Sequence, residues 1–313
     1  MSIAEDFIHF TENGLYCPYG NFHLDPRQPV ATAIITHAHA DHAVAGNIQV
    51  HCTPATAAFM QLRYGKSAAR HFTLAYWHQP FRMGEVDITF VPAGHMLGSA
   101  QILMEHRGVR YLYTGDYKLQ PDPTCEPLEW VKADVLITES TFANPAVQHP
   151  DPVAEIGKLN HIKSNIMLGA YALGKAQRLI AMISTHAPQK KVLVHHRIMP
   201  LNQIYQNFGR HLGPYQLYGR KLMKAQDEFV YIVPPLTFES YSRAVGVKRL
   251  FASGWSHLQV NRNDTLYISD HVDWNDILAT IAQVNPTEVW TLHGDGRPLQ
   301  AHFSNQLTVK LLS

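Results

Sequence analysis

The chain has 313 residues, of which 46% are hydrophobic and 16% are charged, and its formal net charge is +1. This composition can bury the core of one large domain or two smaller ones, and no apolar run approaches the roughly 18 residues of a membrane span. The acidic start and three scattered cysteines, Cys17, Cys52 and Cys125, argue against a signal peptide, a disulfide framework and a structural zinc knuckle, so we expect a cytoplasmic protein.

Short strands with tight turns are predicted between residues 10 and 30, where Asn13-Gly14 is a strong turn signal. The segment Phe22–Pro26 places Asp25 at a strand terminus. Asp25 could orient a metal-ligating histidine by a hydrogen bond, or it could be an ordinary turn residue, and the sequence leaves both interpretations open.

A buried strand is predicted at Ala31–Ile35, and it leads directly into the histidine-rich segment Thr36–His42. Side chains two apart on an extended chain point the same way, so His37 and His39 can share one metal ion. After a turn, Asp41 and His42 can face a second ion beside the first. Imidazole together with carboxylate suits zinc or a similar transition metal, although a polar, histidine-rich loop without a metal is the alternative.

The next predicted helix begins at Thr53-Pro54, with Thr53 as N-cap, and ends near Tyr64-Gly65. Beyond it, four predicted strands each end at a metal-ligand or acid–base residue. The strands are 86–91, 109–113, 135–137 and 288–292, and the residues that follow them are His95, Asp116, Glu139 and His293. One such residue is usually a cap, whereas the repetition predicts a shared site.

The pattern changes between residues 150 and 250. The residues Leu173, Ala176, Ile180 and Ile183 share one helical face, and Lys191–Val194 is a predicted strand, which together predict an α/β module. From Lys158 to Arg262 there are 15 basic and 3 acidic residues, so we expect a basic surface. The candidate phosphate contacts are Lys175, Arg178, Lys190, Lys191, Arg220, Lys221 and Lys224. A last helix is predicted from Asp273, as N-cap, to Asn285-Pro286.

The H-x-H-x-D-H segment, the later Gly94-His95, Gly115-Asp116 and the final His293 together resemble the metallo-β-lactamase fold, which implies an αββα sandwich. Further segments resemble the β-CASP nucleases, in which an inserted domain caps the metal site; they are Ala93–Ala100, Thr138–Thr141, Ala172–Gln177 and Ser269–Asp273. The resemblance implies a metallo-β-lactamase domain in two parts, 1–149 and 251–313, with an inserted β-CASP α/β domain at 150–250.

Within the β-CASP enzymes, three segments look most like the bacterial ligase-associated DNA exonucleases, which are related to mRNA 3′-end processing factors: Tyr16–Pro18, Ile35–His42 and Pro121–Cys125. The resemblance implies a DNA substrate and, by analogy, an ATP-dependent DNA ligase and a helicase as partners. One departure lies after Ser253–Trp255, where an arginine-rich run is reduced to Arg262.

The resemblance also implies the roles of the site residues and a cofactor of two Zn²⁺ ions, which Mn²⁺ could replace. His37, His39 and His95 would hold the first ion, and Asp41, His42 and His293 the second. Asp116 would bridge both ions, Asp25 would orient a ligand, and Asp41, Glu139 and His271 would serve catalysis, the last two as a pair beside the scissile phosphate.

Three other functions are considered. Glu at position 139 and His at position 293 look like the RNA-processing branch of β-CASP enzymes, so an RNA nuclease is the main alternative to a DNA exonuclease. The H-x-H-x-D-H core also permits hydrolysis of a small ester or lactone, which the basic insert and the His271 motif disfavour. A non-catalytic binding subunit is disfavoured because every ligand position is filled.

Overall fold

A computed structural model describes residues 2–225, 228–241, 246–255 and 266–312, without the side chains of residues 223–225. The chain divides into two compact units. The first contains Met1–Pro121, Cys125–Gln148 and His271–Ser313, and the second contains Asp122–Thr124 and His149–Asp270. The second unit includes the strands after residue 246, because they belong to its sheet.

The first unit contains two sheets, whose strands are numbered here with the others in chain order. The first sheet has six strands in sequential order: β1 His9–Thr11, β2 Gly14–Cys17, β3 Phe22–Leu24, β4 Thr32–Ile34, β5 Asn47–Cys52 and β6 Ala69–Leu74. The pairs from β3 to β6 are parallel, so the carboxyl end of β4 lies at the same edge as those of β3 and β5.

The second sheet has seven strands: β7 Phe81–Met83, β8 Val86–Pro92, β9 Ala100–His106, β10 Val109–Tyr113, β11 Val135–Glu139, β18 Glu288–Leu292 and β19 Thr308–Leu311. Strands β8 and β10 are both antiparallel to β9, and β10, β11 and β18 are mutually parallel neighbours. The carboxyl ends of β8, β10, β11 and β18 therefore lie at one edge of this sheet. The four predicted strands that precede candidate site residues are confirmed.

Three apolar clusters stack the first unit into layers. The central cluster joins Ile34 of the first sheet with Phe90, Ile102 and Tyr113 of the second, so the two sheets pack face to face. Each outer face is covered by a helix: α1 Pro54–Tyr64 packs on the first sheet, and α7 Trp274–Val284 packs on the second. The layers confirm the αββα architecture expected from the sequence.

The second unit is built on one parallel sheet. Its strands lie in the order β14-β13-β15-β12-β16-β17, with β12 Asn165–Gly169, β13 Lys191–Val194, β14 Tyr215–Leu217, β15 Phe229–Val233, β16 Val247–Ser253 and β17 Leu266–Tyr267. Every residue of β12 and β15 is buried, as expected for parallel strands covered on both faces. The α/β module predicted here is confirmed.

The remaining helices are α2 Pro152–Gly157, α3 Lys175–His186, α4 Met199–Asn207, α5 Arg220–Ala225, α6 Pro235–Ser240 and α8 Arg297–His302. The predicted caps are confirmed, since Thr53 accepts a bond from the Thr56 backbone and Asp273 forms a capping box with Asp276. The three cysteines are buried free thiols. Among the described residues, no helix has the length and apolar character needed to cross a membrane.

Candidate metal centre

Four side chains from three strand ends converge in the first unit. His37 and His39 follow β4, His95 follows β8 and Asp116 follows β10, and each offers one ligand atom within 4.8 Å of the others. The site therefore joins the carboxyl ends of strands from both sheets, and residues remote in sequence meet because the two sheets pack face to face.

The spacing of the donor atoms fits a metal ion. The distance from His39 Nδ1 to His37 Nε2 is 3.0 Å, and from His39 Nδ1 to His95 Nε2 it is 3.1 Å. A tetrahedral zinc ion with nitrogen ligands at roughly 2.0–2.1 Å places those nitrogens about 3.3–3.4 Å apart. Three imidazole nitrogens and one carboxylate oxygen are a zinc-type donor set, so the residues fit the implied ion.

Asp25 holds the segment at Thr36 and the ring of His42 in place through hydrogen bonds. Its carboxylate accepts bonds from the Thr36 backbone N at 2.7 Å and the Thr36 hydroxyl at 2.6 Å, and His42 Nδ1 donates to it at 2.8 Å. The Tyr113 hydroxyl adds a fourth bond at 3.1 Å. Asp25 has a φ of 42°, a region that Asp tolerates better than most residues.

These bonds assign the tautomers of two ligand rings. Because the Thr36 hydroxyl donates to Asp25, it accepts from His37 Nδ1, which lies 3.1 Å away. That bond leaves His37 Nε2 as the free lone pair on the metal side. His42 likewise donates from Nδ1 to Asp25, so Nε2 is the nitrogen of each ring that faces the site.

A second group of donors lies beside Asp116. His42 Nε2 is 3.4 Å from Asp116 Oδ2 and 3.9 Å from Asp41 Oδ2. The His293 ring centroid is 5.4 Å from that of His42, and His293 has a φ of 55° where the chain leaves β18. Asp116 is therefore next to both groups of histidines, while the Asp41 side chain is 80% exposed.

Burial and charge set the protonation of the centre. Burial, with the neighbouring His42 and His95, holds the pKa of His37 well below its usual range and keeps the ring in its ligating form. Burial alone would raise the pKa of Asp116, but His42 and His271 outweigh it and hold that pKa well below the usual range. Burial likewise opposes protonation of His42, but Asp116 and Asp25 outweigh it and raise the pKa of that ring.

Glu139 and His271 form a pair beside Asp116. His271 Nδ1 lies 2.9 Å from Glu139 Oε2 and 3.9 Å from Asp116 Oδ2. Glu139 is 1% exposed, and it also accepts bonds from the Tyr117 backbone N at 3.1 Å and the Thr141 hydroxyl at 2.6 Å. These bonds hold the carboxylate in place, and the carboxylate holds the ring.

Sequence reasoning missed several residues that support the centre. Thr36 lies inside the histidine-rich segment and could have been noticed, whereas Tyr113 is marked only by its place at the end of a buried strand. Lys118 is 1% exposed, and its Nζ donates to the His95 carbonyl at 3.2 Å. No sequence pattern distinguishes this buried lysine from a surface one.

The basic side chains expected to contact phosphate divide into two groups. Lys175, Arg178 and Lys190 are at most 4% exposed, which corrects the expectation that they lie on the surface. Lys191, Arg220 and Lys221 are exposed. The Lys224 side chain and Arg262 lie outside the described residues.

Buried acceptors explain why three of these cations are inside the second unit. Lys175 Nζ is 3.0 Å from Asp270 Oδ2, and Arg178 Nη1 is 2.8 Å from Asp270 Oδ1. Arg178 also donates to the Ser269 carbonyl at 2.6 Å. Lys190 donates to the Ile162 carbonyl and lies 3.5 Å from Glu228.

Comparisons with known proteins agree with the fold. Residues 18–196 match the family model described as "Beta-lactamase superfamily domain". A crystal structure of a protein of unknown function from Enterococcus faecalis V583 superposes with a TM-score of 0.60 at 14% identity, covering 90% of this chain and 79% of that one.

Two curated relatives are informative. A "Probable DNA ligase" of Opitutus terrae is 32% identical over 300 residues, which is 90% of this chain and 28% of that protein. An "Endoribonuclease ysh1" of Aspergillus fumigatus is 33% identical over 127 residues, which is 36% of this chain and 14% of that protein. The match thus spans less than a third of the length of either relative.

Proposed function

Because this chain belongs to the family of β-lactamase superfamily domains, we propose that it is a metal-dependent nuclease that degrades DNA as an exonuclease in DNA repair or processing. The observation that carries the proposal is the His271–Glu139 pair, whose ring nitrogen lies 3.9 Å from Asp116, the carboxylate shared by both histidine groups. That arrangement combines a metal centre with a positioned proton donor.

The first ion would be held by His37, His39, His95 and Asp116, and the second by His42, Asp41, His293 and the same Asp116. Two cations bound there would lower the pKa of a bound water and polarise the phosphate oxygens. The side chains supply the orientation, since Asp25 and Thr36 keep the ligand nitrogens of two rings directed at the site.

His271 is suited to protonate the leaving oxygen of a phosphodiester. Its Nδ1 donates to Glu139, so its Nε2 is the nitrogen that exchanges a proton with the substrate. Glu139 cannot rotate away, because Tyr117 N and the Thr141 hydroxyl hold it. A positioned acid of this kind contributes about 10² to 10⁴ in rate.

Two observations favour nucleic acid, and DNA in particular. The second unit contains 15 basic and 8 acidic residues, a net charge of +7, which favours a polyanionic substrate. The relative that aligns with most of this chain is named as a DNA ligase. That name also supports the proposal that the protein acts beside a ligase, with a helicase as a further partner by analogy.

RNA is the second candidate substrate, because Glu139 and His293 resemble the RNA-processing branch and a relative that aligns with 36% of this chain is named an endoribonuclease. A small ester is a weaker candidate, because it needs neither the basic unit nor the His271–Glu139 pair.

The deciding experiment is hydrolysis of end-labelled single-stranded DNA and RNA of identical sequence, with Zn²⁺ or Mn²⁺. Stepwise shortening of DNA supports the proposal. Preferential cutting of RNA would instead identify RNA as the substrate. Loss of activity is expected in Asp41→Ala and Asp116→Asn but not in Asp87→Asn, an exposed carboxylate of β8. Hydrolysis of a chromogenic ester without cutting of either polymer would overturn the nuclease function.

His271→Ala tests the role of the proton donor. We expect turnover to fall by about 10² to 10⁴ while the metal content, measured by mass spectrometry, stays unchanged. Asp116, Glu139 and His271 could also hold an ion together. Loss of metal in His271→Ala would therefore identify His271 as a ligand.

A further inference from the structure

The parallel sheet of the second unit has one edge where all its strands end, here called the carboxyl edge. Four strands end at nearly the same level, because Val194 pairs with Leu217 and Ile232, and Gly169 pairs with Val233 and Phe251. Ligands of open parallel sheets bind outside the carboxyl ends of the strands.

Exposed basic side chains emerge from one half of the carboxyl edge. Arg220 and Lys221 follow β14, and His196 and Arg197 follow the neighbouring strand β13. All four are exposed. Among the residues that the structure describes, none forms an ion pair with Arg197, Arg220 or Lys221.

Cations at the opposite edge of the same sheet have acidic neighbours. Lys163 precedes β12 and lies 3.9 Å from Glu228, and the buried Lys190 lies 3.5 Å from the same carboxylate. Lys163 and Lys190 therefore have an acidic neighbour, whereas no salt bridge joins Arg197, Arg220 or Lys221 to an acidic residue in the described part of the chain.

Exposed aromatic side chains emerge from the other half of the carboxyl edge. Tyr171 follows β12 and is 51% exposed, and Trp255 follows the adjacent strand β16 and is 42% exposed. Two exposed aromatic rings at the ends of adjacent strands offer faces on which bases can stack. With strands about 4.8 Å apart, the five strands from β14 to β16 span roughly 19 Å.

We propose that the carboxyl edge binds single-stranded nucleic acid, with phosphates on Arg197, Arg220 and Lys221 and bases stacked on Tyr171 and Trp255. Cations that follow the backbone beside aromatic rings that stack on bases are the two elements of sequence-tolerant single-strand binding. A duplex presents its phosphates but keeps its bases stacked inside, so it would use only the cationic half. This inference rests on the proposed function and specifies the strand state of its substrate.

The test is fluorescence anisotropy of labelled single-stranded DNA, single-stranded RNA and duplex DNA, with metal-free protein in a chelator so that nothing is cut. We expect Tyr171→Ala/Trp255→Ala to weaken single-strand binding about tenfold or more and to leave duplex binding unchanged. The matched control is Tyr76→Ala, which removes an exposed aromatic ring of the first unit.

The cationic half is tested by salt dependence. The double variant Arg197→Gln/Arg220→Gln should bind both single strands and duplex more weakly. For single strands, the slope of log affinity against log salt should become shallower by about 0.7 per lost contact. Lys163→Gln at the opposite edge, with a side chain 79% exposed, should change neither value. Trp255→Phe should keep the affinity and remove part of the fluorescence quenching that DNA causes.

Two results would overturn the proposal: unchanged single-strand affinity in the aromatic double variant, or equal losses for single strand and duplex, with thermal melts showing that the variants are folded. Hydrolysis of bis(p-nitrophenyl) phosphate by the metal-loaded protein separates this proposal from the proposed function. That small diester needs no carboxyl edge, so the aromatic double variant should hydrolyse it normally. If the unsubstituted protein cuts neither it nor DNA, the nuclease proposal fails while the binding result stands.

Discussion

Asp25 connects three segments of the metal centre through a single carboxylate. It accepts four hydrogen bonds from Thr36, His42 and Tyr113 and is 7% exposed. An amide has only one oxygen to accept with, so Asp25→Asn leaves donors of Thr36, His42 or Tyr113 without an acceptor. We expect zinc affinity to fall about 10- to 100-fold, measured by competition with a chelator. Asp6→Asn, which changes an exposed bond to Tyr19, is the control, and an unchanged affinity in Asp25→Asn would contradict the orienting role.

Asp276 gives the stability of the first unit a defined pH dependence. Burial and the nearby Asp273 raise its pKa from 3.8 to about 6. The native state therefore holds this proton more tightly than the unfolded state, and the free energy of unfolding falls as the pH rises from about 4 to above 6. Asp276→Asn removes that loss, so its stability relative to the unsubstituted protein should rise by on the order of 1 kcal/mol across this range, since solvent screens the half-buried group.

Urea denaturation at pH 4.5 and 7.5 measures this difference. Asp295→Asn is the matched control, because the hydrogen bonds from Arg297 lower the pKa of Asp295 to about 2 and keep it ionised in the native state across the range. If Asp276→Asn and the unsubstituted protein differ in the free energy of unfolding by the same amount at both pH values, the carboxyl group of Asp276 titrates normally.

Two basic residues of α3 are buried, although the sequence pattern placed them on the solvent-exposed face of this helix. Lys175 and Arg178 lie off the apolar stripe, and both are buried against Asp270. A buried charge needs a partner of opposite charge, and the partner of Arg178 is Asp270, which lies 92 positions away in the sequence. Periodicity detects local faces only, so it predicted the helix correctly and misplaced its two cations.

Breaking this buried cluster should destabilise the second unit. Arg178→Met leaves Asp270 with one cation and removes the bond to the Ser269 carbonyl, so we expect a loss of about 3–5 kcal/mol in the free energy of unfolding. Lys163→Met, at an exposed ion pair, should have no measurable effect. Equal stability of both variants in urea denaturation would show that the cluster contributes nothing net.

Strand ends were the most predictable elements. His95, Asp116, Glu139 and His293 each follow a predicted strand, and the structure has a strand at each place. The sequence pattern did not predict which strands become neighbours. For example, β11 pairs with β18, and most of the second unit lies between them in the sequence. The convergence of the residues was therefore expected from repetition and resemblance, and its geometry came from the pairing of distant strands.

At the scale of the whole molecule, the two units differ in charge and in core. The first has 11 basic and 17 acidic residues, and the second has 15 basic and 8 acidic residues. The donors of the metal centre all lie in the first unit, whereas the exposed carboxyl edge belongs to the second. The candidate metal donors and the proposed strand-binding edge thus belong to separately packed units of the chain.

Metal removal should therefore act on one unit. A ligand at 100 times its dissociation constant stabilises the native state by about 2.7 kcal/mol. We expect zinc to slow hydrogen exchange at β4, β8 and β10 of the first unit, and to leave β13 and β15 of the second unchanged, as measured by mass spectrometry with zinc or a chelator. Equal protection of both units would show that they unfold as one.

The order of the strands also sets an order of events on the ribosome. His37, His39, His95 and Asp116 are all made before the second unit, whereas the partner of β11 comes long after it, since Ser140 bonds to Leu292, 152 positions later. Until then β11 is an open edge, which invites pairing with other chains. A nascent chain can thus bring His37, His39, His95 and Asp116 together early, but the edge at β11 stays prone to aggregation until β18 emerges.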